Sequence, residues 1–409
     1  MKRIIIVSLH LYIIASLLVG CGEDRTYEYE ALTERAHWME EEMKEWYLWG
    51  DSLKEVEWKN YFSSPSDFLK KLTAQAPETD SWSYCSTDTL EENFFTRGQF
   101  DYLDSYGLDF EMLTDPTKQT TKQYARIKTV YPGSPADECG MVRDDCIGFI
   151  DGAKATSSNM SLLKSGGEHT LLVSRMGFLG DSLVWETEND TLILTASRRV
   201  EEPQVMASGV YGDKGYMMLC NLNGFPGFSE ILSFSEILGI SELILDLRLC
   251  NNGTMEGAQK LLESVVPIEK SGQVFAKTIW NSHKSENNKS WTLNVSASTL
   301  GVERVSVITS GYTQGAAEWV VRGLASVLGS DNVYIIGTKT AGQNVMLGEI
   351  GSTYDITLRP AVAFVADAEG NYDYSGGITP DEVVNEFSYT PLYPYGDERE
   401  VLLQMLLGR

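Results

Sequence analysis

The first hydrophobic positions of the chain after residue 21 repeat with helical spacing. Bulky apolar residues recur at i, i+4, i+7 and i+8, namely Met39, Met43, Trp46 and Tyr47. A second stretch, residues 64–67 (Ser-Pro-Ser-Asp), provides a cap hydroxyl, a first-turn proline and a carboxylate three residues after the cap. These patterns predict a tether and a small helical N-terminal domain over residues 21–95.

The pattern changes near residue 96 to short apolar runs that are broken by Gly, Pro and Asp. Strand-like runs occupy residues 106–110, 125–130 and 170–175. We therefore expect a β domain over residues 96–198.

Strand and helix patterns alternate in the remainder of the chain. Two successive strand–helix–strand series occur, at residues 215–219, 228–238 and 243–248, and at residues 305–309, 316–328 and 333–337. Such series imply crossover units in a parallel or mixed sheet with helices outside it. The fold class predicted for the whole chain is α/β and α+β multidomain, with a mixed α/β core over residues 199–409.

The N-terminal residues have the pattern of a processing signal. Lys2 and Arg3 precede an apolar run over residues 4–19, which is too short for an ordinary membrane span. Leu-Val-Gly-Cys at the end of this run resembles a bacterial lipobox. We therefore expect residues 1–20 to be a signal peptide, Cys21 to carry a lipid, and the protein to be an outer membrane lipoprotein, periplasmic or surface-exposed. The alternative is an incidental cysteine after an ordinary signal peptide.

Composition restricts the partners of the chain. The formal net charge of −25 over 409 residues argues against nucleic acid and anionic lipid headgroups. Besides Cys21, five cysteines remain, with no CxxC pair and no nearby histidine cluster. We predict no metal site and no cofactor, and membrane contact only through the lipid anchor.

The middle segment resembles a PDZ domain in the circular arrangement of exported bacterial proteases. The resemblance rests on the runs given above together with Pro-Gly-Ser-Pro-Ala at residues 132–136. It implies a peptide-binding turn formed by Gly107, Leu108, Asp109 and Phe110, whose backbone N–H groups would receive a terminal carboxylate while a peptide strand adds to the sheet edge. The carboxylate of Asp109 opposes such a ligand, and a purely structural PDZ remnant is the alternative.

The last segment resembles the tail-specific proteases, which are C-terminal-processing serine peptidases. Several anchors carry the resemblance in the right order: Gly215-Tyr216, residues 245–248 (Leu-Asp-Leu-Arg), 316–318 (Ala-Ala-Glu), 336–337 (Ile-Gly), 340–342 (Thr-Ala-Gly) and 377–381 (Gly-Ile-Thr-Pro-Asp). The resemblance implies a peptidase-like core in which a serine attacks the peptide carbonyl and a lysine accepts its proton.

Both family positions hold other residues in this chain. The serine of the family phrase is replaced by Gly315, and the lysine is replaced by Gln343. Glycine has no nucleophile, and glutamine has no titratable amine that could act as a base. The glycine-rich loop that helps to hold the oxyanion in the family reads Leu-Cys-Asn-Asn-Gly here, at residues 249–253.

These departures leave three functions open. The first is a non-catalytic peptide- or protein-binding pseudopeptidase, which would hold unfolded segments or C-termini. The second is an active serine-type endopeptidase with a displaced nucleophile, for which Ser310 and Thr313 are the fallback candidates and Lys339 is a candidate base. The alternative is that these three residues have no catalytic role: both hydroxyls form hydrogen bonds with backbone groups, and Lys339 lies on a solvated turn. The third function is a surface scaffold or interaction protein.

Overall fold

The structure is a computed structural model, and it describes residues 26–87, 104–224, 239–351 and 354–409. The predicted signal peptide, Cys21 and the predicted helix over residues 228–238 lie outside the described residues. The chain divides into two compact units. The first comprises the described residues up to Thr87 together with residues 348–360, and the second comprises the rest.

The helices in chain order are α1 (Thr26–Trp46), α2 (Pro65–Thr73), α3 (Pro135–Glu138), α4 (Met255–Val265), α5 (Ala316–Leu328) and α6 (Val401–Leu407). The strands are β1 (Tyr84–Thr87), β2 (Asp104–Ser105), β3 (Leu108–Thr114), β4 (Gln123–Val130), β5 (Cys146–Ile150), β6 (Ala153–Lys154), β7 (His169–Leu179), β8 (Ser182–Leu194), β9 (Arg198–Arg199), β10 (Val205–Tyr211), β11 (Lys214–Leu219), β12 (Asn221–Leu222), β13 (Glu242–Asp246), β14 (Asn252–Gly253), β15 (Val274–Trp280), β16 (Lys289–Thr292), β17 (Arg304–Thr309), β18 (Val333–Gly337), β19 (Val345–Leu347), β20 (Ile350–Gly351), β21 (Ile356–Arg359), β22 (Ala361–Ala366) and β23 (Glu382–Val383). None of the described helices is long and apolar enough to cross a membrane.

The first unit is helical with one small sheet. Met39 and Met43 of α1 are buried, as their spacing predicts, and the Ser64 hydroxyl caps α2 by accepting a hydrogen bond from the Asp67 N–H at 3.2 Å. The sheet has the order β1-β21-β20 and is antiparallel. Its second and third strands come from residues 348–360, a segment that the sequence analysis placed in the C-terminal core.

Residues 104–199 of the second unit form an antiparallel sheet with the strand order β3-β4-β5-β7-β8, which we call the β3–β8 sheet. Its core contains Ile127, Ile147, Leu171 and Val173. In this order β3 is an edge strand, since only β4 pairs with it among the described strands.

The remainder of the second unit is built on a sheet with the order β10-β11-β13-β17-β18-β23. β10 runs antiparallel to β11, and the other neighbours are parallel. Alternate residues of β13 enter two separate cores: Leu243 and Leu245 pack with α4 and α5, and Ile244 packs with α6. This layered arrangement confirms the predicted fold class.

Candidate functional site

The site begins at Gly315, which stands between β17 and the first turn of α5. Its backbone has φ of +55° and ψ of −115°, a conformation that glycine adopts freely and other residues adopt only with strain. A Cβ atom at this position would lie 3.0 Å from Oε1 of Gln343. The structure therefore brings together the two positions that the family resemblance singled out, although 28 residues separate them.

Glu318 holds these two positions in place. Its buried carboxylate accepts hydrogen bonds from the backbone N–H of Gly315 at 3.1 Å and of Gln343 at 2.8 Å. It also accepts the N–H of Gly342 at 2.7 Å and the hydroxyl of Thr340. One side chain thus ties the start of α5 to the loop between β18 and β19.

The chemistry of Glu318 follows from this environment. Burial raises the pKa of its carboxyl group, and the four hydrogen-bond donors oppose that rise. Because every partner is a donor, the ionised carboxylate is the form that satisfies all of them. Glu318 therefore serves as an acceptor that positions the surrounding backbone.

Gln343 is also buried, and its side chain is held in place. The amide Nε2 donates a hydrogen bond to the carbonyl oxygen of Val345 at 3.2 Å, which leaves Oε1 facing Gly315. A primary amide does not accept a proton at neutral pH. The pair Gly315 and Gln343 consequently offers neither a nucleophile nor a base.

The fallback hydroxyls are both engaged with the backbone. Ser310 Oγ donates to the carbonyl oxygen of Arg248 at 2.6 Å and accepts the N–H of Tyr312 at 3.0 Å. Thr313 Oγ1 is buried, donates to the carbonyl oxygen of Leu247 at 2.9 Å and accepts the N–H of Ser310 at 2.9 Å. Each hydroxyl proton is donated to a carbonyl oxygen, and within the described residues no histidine or carboxylate accepts it.

Lys339 lies at the surface of the loop that follows β18. Its side chain runs along Gly376 and Gly377: a Cβ atom at Gly376 would lie 3.7 Å from its Nζ, and one at Gly377 would lie 3.2 Å from its Cγ. The residue is exposed, as the interpretation of a solvated turn expects.

The loop after β13 packs against the start of α5. The carbonyl oxygen of Cys250 accepts the N–H of Gln314 at 3.1 Å, and a Cβ atom at Gly253 would lie 2.8 Å from Cβ of Ala316. Burial raises the pKa of the Cys250 thiol well above its ordinary value, which opposes thiolate formation. The loop therefore lies against the start of α5, and its cysteine is suited to packing.

Arg248 anchors the same loop through a buried ion network that the sequence analysis missed. Its guanidinium binds Asp246 at 2.7 Å, Glu386 at 2.7 Å and Glu400 at 2.9 Å. Arg143, from the loop before β5, forms an ion pair with the same Glu386. The only sequence signal was the Asp-Leu-Arg phrase, because Glu386 and Glu400 lie more than 130 residues away.

The predicted peptide-binding turn starts at Gly107, which has φ of +70°. A Cβ atom there would lie 2.2 Å from Cβ of Ser134, so only glycine fits. The N–H of Gly107 donates to Ser105 Oγ at 2.8 Å, and the N–H of Phe110 donates to Asp109 Oδ1 at 2.9 Å. Two N–H groups of the turn are thus already satisfied within the chain.

The turn leads directly into the edge of the β3–β8 sheet. Leu108 is the first residue of β3 and pairs with Val130 of β4. The carboxylate of Asp109 lies 3.0 Å from Nζ of Lys128, so its charge is paired locally. Of the four residues predicted to form the turn, only Gly107 precedes the strand, because Leu108, Asp109 and Phe110 belong to β3.

The N-terminal part of the chain matches a family model. Residues 34–84 match the peptidase S41 N-terminal domain. No curated protein matches the chain.

Solved structures are similar over most of the chain. A candidate S41 protease from Bacteroides fragilis NCTC 9343 is 28% identical with a TM-score of 0.78, and the match covers 90% of this chain and 96% of the other. The photosystem II D1 C-terminal processing protease is 17% identical with a TM-score of 0.49, over 87% and 93% of the two chains. A mutant of CPAF is 11% identical with a TM-score of 0.50, over 93% and 98% of the two chains, and shows likeness of fold alone.

The N-terminal domain match and the likeness to the Bacteroides fragilis structure agree with the anchors of the C-terminal core. The chain therefore resembles the peptidase S41 family, whose N-terminal domain its residues 34–84 match.

Proposed function

We propose that this chain is a non-catalytic member of the peptidase S41 family that binds extended peptide or unfolded protein segments. The observation that carries the proposal is the pair formed by Gly315 and Gln343, which face each other where the family resemblance expects a serine and a lysine. The surrounding scaffold is retained, because Glu318 still organises both backbone positions. A retained scaffold without reacting groups favours binding over cleavage.

The hydrogen bonds that the hydroxyls of Ser310 and Thr313 form with the backbone argue against the alternative of an active endopeptidase. A displaced nucleophile needs a base within hydrogen-bond reach. Ser310 and Thr313 instead donate to the carbonyl oxygens of Arg248 and Leu247. Activity would require both the loss of these bonds and the arrival of a base.

The edge strand β3 supports peptide binding rather than a role as a scaffold alone. A peptide that adds to a sheet edge gains main-chain hydrogen bonds from groups that the sheet leaves unpaired. The turn at Gly107 lies at the start of this edge. We place the peptide along β3, with its C-terminus towards the turn.

The cleavage test compares residues 22–409 with two double variants, each incubated with a denatured protein that ends in an apolar sequence. Gly315→Ser/Gln343→Lys restores both groups in facing positions. Gly311→Ser/Gln343→Lys is the matched control, since a Cβ atom at Gly311 has open space and only the Lys339 carbonyl oxygen nearby, at 3.9 Å.

We expect no cleavage by the natural chain or by the control. Cleavage by the natural chain above a no-enzyme blank would overturn the proposal, and loss of that cleavage on Ser310→Ala or Thr313→Ala would identify the nucleophile.

The binding test uses a peptide with an apolar free C-terminus and the same peptide with alternate backbone nitrogens methylated. Strand addition requires the peptide N–H groups, so methylation is expected to weaken binding at least tenfold in calorimetry. Absence of binding by the unmodified peptide would favour the scaffold interpretation instead.

We further propose that the protein is held at the outer membrane through lipidated Cys21. The lipobox-like phrase before this residue supports the proposal. Cys21→Ala is expected to move the protein from the membrane fraction to the soluble fraction, and retention in the membrane would contradict a lipid anchor at this residue.

A further inference from the structure

A cavity of about 680 Å³ lies in the first unit. Its lining combines one face of α1 with the 3-10 turn Trp58–Phe62 and with Tyr354. The opposite face of α1 is buried through Met39 and Met43. This volume lies in the range of sites that bind small molecules or side chains.

Acidic groups of α1 give the cavity a negative charge. Glu30, Glu34 and Glu41 belong to the lining, and the lining contains no lysine or arginine. Within the residues that the structure describes, none of these three carboxylates takes part in an ion pair. Lys44, on the same helix, forms its ion pair with Glu40, at 2.7 Å. An anionic ligand is therefore disfavoured by the cavity.

The rest of the lining consists of Thr33, His37 and four larger aromatic side chains, three of which are well exposed. Trp58 is 58% exposed, Tyr29 is 46% exposed and Tyr354 is 37% exposed. Trp38 lies across from Tyr354, with ring centroids 6.1 Å apart. Aromatic faces next to carboxylates attract organic cations, of which guanidinium groups stack best on such rings.

The carboxylates of the cavity are spread along α1. No group of three or more His, Cys, Asp or Glu side chains among the described residues is arranged to hold a metal. Glu30 and Glu41 are eleven residues apart on one helix, which at a rise of 1.5 Å per residue separates them by roughly 16 Å along the axis. An extended polypeptide covers this length with about five residues.

We infer that this cavity binds an extended basic segment of a polypeptide, with two arginine or lysine side chains about four residues apart. Each cationic head lies between an aromatic ring and a glutamate of α1. The cavity is formed by residues of the first unit, whereas Gly315, Gln343 and β3 belong to the second, so the inference does not depend on the proposed function.

The test measures binding of a blocked pentapeptide, acetyl-Arg-Gly-Ser-Gly-Arg-amide, to residues 22–409 by calorimetry. The matched probe carries citrulline in place of both arginines, because citrulline keeps the shape and removes the charge. The citrulline peptide is expected to bind at least tenfold more weakly. Equal binding of the two peptides would overturn the inference, and so would choline binding as tightly as the arginine peptide, which would indicate a small-amine site.

Two variants test whether the arginine peptide binds in this cavity. Glu34→Gln/Glu41→Gln removes two exposed charges from the lining and is expected to weaken binding of the arginine peptide at least tenfold. Glu78→Gln removes an exposed charge from the same unit outside the cavity and is expected to change binding less than twofold. An unchanged affinity of the double variant, with its thermal melt intact, would show that the peptide does not bind here.

Discussion

Gly315 and Gln343 face each other so closely that a Cβ atom on the first would lie 3.0 Å from Oε1 of the second. The backbone of Gly315 also has a positive φ, so any side chain there is strained as well as crowded. Glycine therefore suits this position for two reasons: it leaves room for the side chain of Gln343, and it adopts the backbone conformation of the turn before α5.

The strain at this turn predicts a stability cost for Gly315→Ala. We expect the free energy of unfolding in urea to fall by about 1–3 kcal/mol, the cost of holding a non-glycine residue in such a conformation. Gly311→Ala, in the same loop with a Cβ atom in open space, is expected to change it by less than about 0.5 kcal/mol. Equal effects of the two substitutions would show that position 315 has no special strain.

Glu318→Gln tests the carboxylate that connects both halves of the site. The substitution replaces one acceptor oxygen with an NH₂ group that faces N–H or hydroxyl donors, and the donors lose their partner in a buried place. We expect a loss of about 3 kcal/mol in the free energy of unfolding, since unsatisfied buried groups are costly. Glu303→Gln, at an exposed position, is the control and is expected to have little effect. A similar small effect of Glu318→Gln would mean that the loop is held by other contacts.

The buried ion network predicts that Arg248→Met lowers the free energy of unfolding more than Glu318→Gln does. Without this guanidinium, Glu386 keeps its ion pair with Arg143, whereas Asp246 and Glu400 lose the ion pair that they form within the described part of the chain. Removing one partner of a buried pair costs about 3–5 kcal/mol, and chemical denaturation should show a loss of this size. Arg304→Met is the control, because it removes an exposed arginine from β17. An equal loss of stability in Arg248→Met and Arg304→Met would contradict the role assigned to the network.

The residues of this network explain why part of the site could not be predicted from the sequence. Helix caps and apolar faces depend on neighbours a few residues away, which is why Ser64 and Met39 could be interpreted locally. Glu386 meets Arg248 across 138 residues, and no periodicity or spacing marks such a contact. The pairing of Gly315 with Gln343 was expected only through the family resemblance.

The short excursion of residues 348–360 into the first unit was missed for a related reason. β20 and β21 are short strands between β19 and β22, and nothing in their composition indicates a different partner sheet. Their placement is fixed by pairing with β1, which is a contact distant in sequence.

Asp144 predicts a dependence of stability on pH. Burial raises the pKa of its carboxyl group to about 6, although Arg126 and Arg143 lower it, and its Oδ1 has no hydrogen-bond partner within the described residues. The folded protein then binds a proton more tightly than the unfolded chain, so this group costs stability as pH rises from about 4 to about 6.

Asp144→Asn should remove that cost. Asparagine tolerates the positive φ of 77° at this position. We expect the variant to be more stable than the natural chain at pH 7.5 by roughly 2–3 kcal/mol, from about 1.4 kcal/mol per pKa unit, and nearly equal to it below pH 4. Urea unfolding at both pH values measures the difference, and a constant offset at all pH values would show that Asp144 does not titrate in this range.

Asp109 gives the sharpest test of where a peptide C-terminus binds. Its carboxylate stands at the turn before β3 and is paired with Lys128 at 3.0 Å. In Asp109→Asn the amide oxygen still accepts the N–H of Phe110, while Lys128 is left to attract a ligand carboxylate. We expect a peptide with a free C-terminus to bind about three- to tenfold more tightly to this variant, an effect of roughly 1 kcal/mol, which is typical of one partly exposed charge.

The same peptide with an amidated C-terminus separates this effect from a general change in charge. Its affinity should be the same for Asp109→Asn and for the natural chain, because it has no carboxylate for Lys128 to attract. Asp181→Asn removes an equal charge at the far end of the β7–β8 hairpin and should affect neither peptide. If the amidated peptide gained as much affinity as the free one, the C-terminus would lie elsewhere and the turn at Gly107 would be structural.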